Sequence, residues 1–366
     1  MRIAQIAPLA EAVPPKLYGG TERVVSWLTE ELVALGHDVT LFATGDSRTS
    51  AKLVPGCDVG LRLKQVKDHT ASNLVMLDNV RRRADEFDII HAHIDLLPMS
   101  LFQDYAHKTI STMHGRLDVP DFMPVYDAYP HMPLISISDN QRKPMTAPVN
   151  WLSTVYHGLP AQVCPFKPMG GDYLAFLGRI APEKRPDRAI EIAKRAGVKL
   201  KIAAKVDNAD KKYFEREIEP LLDHPLIEFI GEIDESQKCD FLGNALALLF
   251  PIDWEEPFGL VMIESMSAGT PVIAWRNGSV PEVMGGGGGY IVESIEEAVA
   301  AVGRVKTLDR AEVRHYFESR FTSRHMAQNY VAAYEKLLSQ SGPRQPKLQV
   351  VRTPETTAAP ELVAAE

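Results

Sequence analysis

Short apolar runs alternate along this chain with longer stretches whose apolar residues recur every three or four positions. The runs have the length of buried strands, and the spaced pattern is that of a helix with one face against a core. Residues 2–9 predict a strand. Residues 21–35 predict a helix with Val24, Val25, Leu28, Leu32 and Leu35 on one face, and Gly36 stands where it would stop. Residues 39–43 predict a second strand, completing a βαβ unit whose strands run parallel. The alternation continues with a helix over 72–86 and strands over 87–93, 109–113 and 134–138. A linker carrying Pro160, Pro165 and Pro168 follows. Beyond it come strands at 173–177, 200–204 and 227–233, and a helix from Pro186 to about 196, since proline suits a first turn. Helical spacing fills 294–338, and residues 339–366, rich in Pro, Ala, Thr and Glu, read as a disordered tail. With 366 residues the chain is too long for one ordinary core, so two α/β domains are expected, 1–160 and 161–316.

The stretch 251–275 concentrates the candidate chemistry. An apolar strand ends at Pro251, and Glu255, Glu256 and Pro257 form a polar corner. An apolar helix is expected from about Gly259 to Ala268, closed by Gly269 and Pro271 before another strand. The N–H groups of Phe258, Gly259 and Leu260 would head that helix without intrahelical partners, at the positive end of its dipole, which suits an anion. Gly259 would let a ligand come close to the main chain. Glu256 precedes the helix and Glu264 lies inside it, too far along the helical rise to share a proton. Carboxylates accept from paired hydroxyls, so each could hold a sugar ring on either side of a bound phosphate. On spacing alone a bland reading stays open, since glutamates at these places also serve as helix stabilisers or solvated faces.

Other candidates fall on loops at the carboxyl ends of predicted strands, where α/β folds bind ligands. Gly19 and Gly20 open the first helix; the G-x-G-x-x-G pattern is missing, which argues against a nicotinamide cofactor, and Thr21 would serve equally as an N-cap. His114 follows the strand 109–113. Arg179 and Lys184 lie on one strand-to-helix loop, where two cations neutralise a diphosphate. His91 and His93 share a strand face, but no third metal ligand is evident, so a core or cleft-wall role is expected.

The string E-E-P-F-G-L-V-M-I-E-S-M-S-A-G-T-P-V, from Glu255, resembles the E-x7-E signature of the family 4 retaining glycosyltransferases. G-R-I-A-P-E-K, from Gly178, is similar to the same family's G-R-x-x-x-x-K. The resemblance implies the GT-B fold, two Rossmann-like domains facing across a cleft, with the acceptor on the first and the donor on the second. It implies that residues 317–338 cross back to the first domain. It further implies that Arg179 and Lys184 bind the donor pyrophosphate, Glu256 the donor sugar and Glu264 the ribose. Gly231, Glu232 and Ile233 would lie against the base, Gly19 and Gly20 would face the cleft, and His114 would contact the donor sugar. No metal and no cofactor are implied, only a nucleotide diphosphate sugar as co-substrate. Ser138 and Arg142 resemble an S-x-x-x-R segment near the cleft, and Val155 to Gly158 a closing V-I-x-N-G, with His157 where Asn is commoner. Residues 285–289 depart from the pattern: five glycines replace D-G-x-x-G and read as a loose loop.

Composition narrows the class without changing it. Hydrophobic content of 45% and charged content of 24% are those of a globular protein, and a net charge of −8 argues against a nucleic-acid binder. Cys57, Cys164 and Cys239 are odd in number and far apart, which suits a reducing compartment and offers no metal spacing. The N-terminus has no room for a signal sequence and no apolar run reaches ~18 residues, so a cytoplasmic enzyme is expected. Arg81, Arg82 and Arg83 form a solvated face, or alternatively a contact with the inner membrane surface. The expected reaction is hexosyl transfer from a UDP- or GDP-sugar to an unidentified saccharide, lipid or small metabolite. The rivals are an epimerase or hydrolase on the same fold, and a non-catalytic nucleotide-sugar-binding protein.

Overall fold

The computed structural model describes residues 1–16 and 19–340. Their strands form two wholly parallel sheets. The first comprises β1 (Arg2–Ile6), β2 (Asp38–Thr44), β3 (Lys52–Cys57), β4 (Ile89–Ala92), β5 (Thr109–Thr112), β6 (Pro133–Ser136) and β7 (Asn150–Thr154), in the order β3-β2-β1-β4-β5-β6-β7. The second comprises β8 (Tyr173–Arg179), β9 (Lys199–Lys205), β10 (Ile227–Gly231), β11 (Ala247–Phe250), β12 (Val272–Trp275) and β13 (Gly289–Val292), in the order β10-β9-β8-β11-β12-β13. Strands β4, β5, β6, β11 and β12 are buried at every residue, because helices cover both faces of each sheet. That double burial is why β11 and β12 read as unbroken apolar runs.

In each sheet the strand order reverses once, between β1 and β4 and between β8 and β11. Loops leaving strands on either side of such a reversal diverge and open a crevice at the carboxyl ends. The two crevices face one another, so the fold is two Rossmann-like halves across a cleft, the GT-B arrangement.

Three strands escaped the sequence reading, among them β7, a half-exposed edge strand. Strand β3 carries Pro55 and Gly56 and is nowhere fully buried, so it lacks the apolar signal of its neighbours. Strand β13 begins within the glycine run expected to be a loose loop, and here the expectation is corrected. Gly289 has φ +138°, and a Cβ there would stand 2.1 Å from the Val272 carbonyl oxygen, so glycine permits the edge strand to dock on β12.

The expected crossing segment 317–338 divides. Helix Arg310–Arg320 stays on the second half and ends at Phe321, whose buried ring packs among Tyr156, Phe258 and Tyr316. Helix Ser323–Gln340 then lies on the first half, burying Met326, Tyr330, Tyr334 and Leu337 against Val24, Leu28 and Leu32. Ser339 belongs to this helix rather than to a tail, and the tail from residue 341 lies outside the described residues. The chain passes between the halves twice, side by side: Leu159 N–H donates to the Phe321 carbonyl and Ser323 N–H to the Leu159 carbonyl, at 3.0 and 2.9 Å. Glu282 and Glu255 add clasps from the second half, accepting from Asn140 N–H and Asn140 Nδ2 at 2.5 and 2.6 Å.

The arginine run behaves as a solvated face. Arg81 and Arg82 are exposed, Arg82 pairs with Asp78 at 2.7 Å, and Arg83 pairs with Glu86 at 2.7 Å and lies over the Phe42 ring. No helix among the described residues is long and apolar enough to cross a membrane. The expectation of three separate thiols is corrected: Cys164 in the linker and Cys239 on helix Glu235–Gly243 form a disulfide across 75 residues of sequence, with Cα atoms 5.0 Å apart. Spacing could not reveal it, because only the fold brings linker and helix together, and the compartment reading loses that support. Closing a loop of this length restricts the unfolded chain by about 4 kcal/mol. The Cys164→Ser/Cys239→Ser variant should therefore melt below the oxidised protein in a calorimetric scan and at the same temperature as the reduced one.

Candidate functional site

Between the two halves lies a cavity of about 750 Å³. Gly19, Gly20, His114, Arg179, Lys184, Glu232, Ile233, Glu256, Phe258, Gly259, Leu260 and Glu264 all line it. Gly231 alone of the expected donor-binding residues does not, nor do Ser138 and Arg142; Gly231 ends β10 with φ +75° and turns the chain so that Glu232 and Ile233 reach the wall.

The corner after β11 is built as the sequence implied, with one change. The helix starts at Leu260, not Gly259 or Phe258. Gly259 is its N-cap residue at φ +80°, and a Cβ there would meet Met262 Cε at 2.7 Å and Phe250 Cζ at 3.2 Å. The left-handed residue turns the chain into the helix so that Leu260 and Val261, whose N–H groups have no intrahelical partner, line the cavity. Phe258 is 2% exposed, its ring 4.9 Å from that of His157 and 6.2 Å from those of Tyr156 and Phe321. Its part is core packing where the chain crosses between halves. Gly259→Ala should cost about 1–3 kcal/mol of stability through the forced φ and the clash. The denaturant midpoint should fall, and an unchanged midpoint would show slack in this corner.

The N-terminus of helix Gly20–Ala34 faces this corner across the cleft. A Cβ on Gly20 would touch Leu260 Cδ1 at 3.7 Å, and one on Gly19 would strike Pro15 Cβ at 2.8 Å. Two helix starts, each the positive end of its dipole, thus border one space.

The charged side chains come as opposed pairs. Lys184 Nζ and Trp254 Nε1 both donate to Glu256 Oε2, the second at 3.0 Å, and Lys184 also lies 4.8 Å from the Trp254 ring centroid. Arg179 is held between Asp210, at 2.7 Å, and Glu183. Lys238 donates to Glu264 Oε1 at 2.8 Å and pairs with Glu235 at 3.0 Å. Burial pulls the Lys238 pKa down, but Glu264 and Glu235 outweigh it and hold the ammonium charged. Arg23 from the first half reaches Glu235 at 3.3 Å and so joins this cluster across the cleft. Arg23, Glu235 and Lys238 were missed as site residues because charges on a helix resemble a solvated face, and Trp254 because a lone tryptophan in a loop carries no pattern. The D-E-S-Q string, which forms a capping box between Asp234 and Gln237, was the available signal that Glu235 and Lys238 open a helix at a strand tip.

On the first half His114 stands at the tip of β5, its Nε2 2.8 Å from His93 Nδ1. The His157 ring stacks on it at 5.3 Å and 18°, and His157 Nδ1 is buried without a partner. Burial depresses both imidazoles, His114 to about 3, so they stand neutral. His91 and His93 are fully enclosed behind them, and no metal-holding group of His, Cys, Asp or Glu occurs among the described residues.

Comparison with known proteins bears on what this cleft serves. Residues 165–323 match the family described as Glycosyl transferases group 1, and residues 18–182 match Glycosyltransferase Family 4. Glycogen synthase of Mycobacterium tuberculosis is 24% identical, over 91% of this chain and 94% of that protein. D-inositol 3-phosphate glycosyltransferase of Kribbella flavida is 24% identical, over 86% and 90%. Among solved structures, sucrose-phosphate synthase from Thermosynechococcus elongatus has a TM-score of 0.71 at 18% identity, covering 93% of this chain and all (100%) of that one. Anabaena HepE, in complex with UDP and glucose, has a TM-score of 0.66 at 14% identity, covering 92% and 99%. The structural likenesses share the two-domain fold, and the family matches together run from residue 18 to residue 323. With a glycosyltransferase family matched in each half, the chain is a glycosyltransferase.

Proposed function

We propose that the protein transfers a hexosyl unit from a UDP- or GDP-sugar to an acceptor bound on the first half, with retention at the anomeric carbon. One observation carries this reading: an anion-ready helix start lies between two carboxylate–lysine pairs, Glu256 with Lys184 and Glu264 with Lys238. The diphosphate would sit at the Leu260 and Val261 N–H groups and draw Lys184 and Arg179 from their carboxylates. Glu256, released from Lys184, would accept from sugar hydroxyls, and Glu264 from the ribose. Glu232 and Ile233 would border the base. As the glycosidic bond breaks, negative charge grows on the leaving diphosphate, and fixed donors at that place lower the barrier. The charge is met by protein groups, so no metal enters the reading. HepE, whose complex holds UDP and glucose, makes UDP-glucose a reasonable first donor to test.

The test is a panel of nucleoside diphosphates and their sugars, read by thermal shift and by release of the diphosphate with EDTA present. A ligand that binds the folded state alone raises the melting temperature. A shift with a UDP or GDP species, and release that depends on added acceptor, is the expected result. Absence of any shift overturns the reading, and release without acceptor assigns hydrolysis instead.

A further inference from the structure

Behind His114 runs a row of polar side chains for which the transfer reading has no use. Gln5 on β1 and His91 on β4 pair in register, so they share a face of the sheet with His93. Thr112 on β5 and Tyr330 and Tyr334 of the last helix complete the row, and all of these but His93, at 2%, are wholly excluded from solvent. Gln5 Oε1 lies 2.8 Å from His93 Nε2, and His93 Nδ1 lies 2.8 Å from His114 Nε2. Gln5 Nε2 lies 3.1 Å from Tyr334 Oη and 3.3 Å from His91 Nδ1.

These distances decide where the protons sit. A primary amide has two N–H hydrogens on one side and none on the other, and a buried N–H without an acceptor is costly. Only one side of the Gln5 amide meets two atoms that can accept, Tyr334 Oη and His91 Nδ1, the latter also taking the Tyr334 hydroxyl at 2.8 Å, so the NH2 group belongs there with Tyr334 Oη as its main acceptor. The opposite side, facing His93, is therefore the oxygen, and His93 Nε2 must carry a hydrogen to donate to it. Burial keeps His93 neutral, so its Nδ1 is an acceptor. His114 Nε2 faces that acceptor and must carry its own hydrogen. The remaining nitrogen of His114, Nδ1, then carries a bare lone pair, on a ring that lines the cavity.

We infer that Gln5 and His93 are positioning residues that fix His114 as a hydrogen-bond acceptor, matched to a hydroxyl of the transferred sugar. The assignment to a sugar rests on the transfer reading above; the proton arrangement does not. It carries a specificity: an ionised carboxylate or phosphate placed against His114 Nδ1 would meet a lone pair and be disfavoured. A hexose with a free hydroxyl there fits, and its deoxy analogue leaves the nitrogen unpaired.

The test begins without substrate. In protein labelled with 15N-histidine, two-bond 1H–15N spectra should show His114 protonated on Nε2 alone, and Gln5→Met should convert it to a mixture of tautomers. A hydrogen on Nδ1 of His114 in the unaltered protein overturns the inference. In turnover, Gln5→Met and His93→Leu should each lower kcat roughly tenfold, as expected for one directed hydrogen bond, with affinity for the free nucleoside diphosphate unchanged. His93→Asn, whose amide oxygen can replace Nδ1 as acceptor, should restore most of the loss. Equal kcat in Gln5→Met, or kcat and nucleotide affinity falling together, overturns the positioning role. The expected tautomer with no binding of any nucleotide sugar would leave the proton arrangement standing and refute the transfer reading together with the sugar assignment.

Discussion

Glu256→Ala is expected to lower transfer by roughly 10²–10³-fold, the range for loss of one directed electrostatic contact in a transition state, while the protein stays folded. The corner does not depend on that side chain for its shape. Glu256 N–H donates to the Trp254 carbonyl at 2.9 Å, and its own carbonyl accepts from Ser279 N–H at 2.9 Å. What alanine removes is the acceptor shared by Lys184 and Trp254 Nε1, both of which border the open cavity and can turn to water. The same change removes a competitor for Lys184. Free UDP or GDP should therefore bind the variant as tightly as the unaltered protein, or more tightly, even as turnover collapses. Calorimetric titration and initial rates on one preparation separate the two effects. Undiminished turnover would remove Glu256 from the reaction.

The second large effect concerns Arg179 and Lys184 changed together to alanine. Affinity for the nucleoside diphosphate should fall by about 10²–10³-fold, as for two charge-assisted contacts of ~1.5–3 kcal/mol less what is spent in breaking the present pairs. Those pairs make the sign robust. With both cations gone, Glu183, Asp210 and Glu256 remain near the site without the partners that now offset them. Repulsion then adds to lost attraction. Binding to the unaltered protein should weaken as salt rises, and the double variant should lose most of that dependence. Titrations at two ionic strengths check both statements, and retained affinity would place the diphosphate elsewhere.

How far the chain announced this arrangement varied with the kind of signal. Helix Pro186–Ala196 matches the expected bounds because both ends carry residues with fixed backbone preferences, Pro186 in the first turn and Gly197 in the left-handed region after the last. Doubly buried strands were equally plain. Strand β3 was hidden because an edge strand with a polar face lacks that apolar signature, and β13 because close packing against Val272 demanded glycine. At the site, Glu256, Glu264, Arg179 and Lys184 were found through an ordered motif, whereas the opposed pairing of each cation with a carboxylate was not. Pairing depends on loops distant in sequence: Asp210 stands 31 residues from Arg179, and Glu256 stands 72 from Lys184. The same limit concealed the disulfide and the contact of Arg23 with Glu235.

The return of the last helix has a consequence for how the protein is made. Helix Ser323–Gln340 supplies Tyr330, Ala333, Tyr334 and Leu337 to the cluster that contains Ile3, Val24, Leu28 and Leu32. The residues of the first half therefore cannot finish their core until residues 323–340, far later in sequence than Leu32, have left the ribosome. Through most of synthesis the early half would show water an apolar flank and a polar row ending at Gln5 and His91, both awaiting Tyr334. Folding by halves in order of emergence, the usual course for multidomain chains, is closed to it. Completion of the first half and docking of helix Ser323–Gln340 become one event, and a ribosome stalled near codon 320 would hold a nascent chain that chaperones must shield.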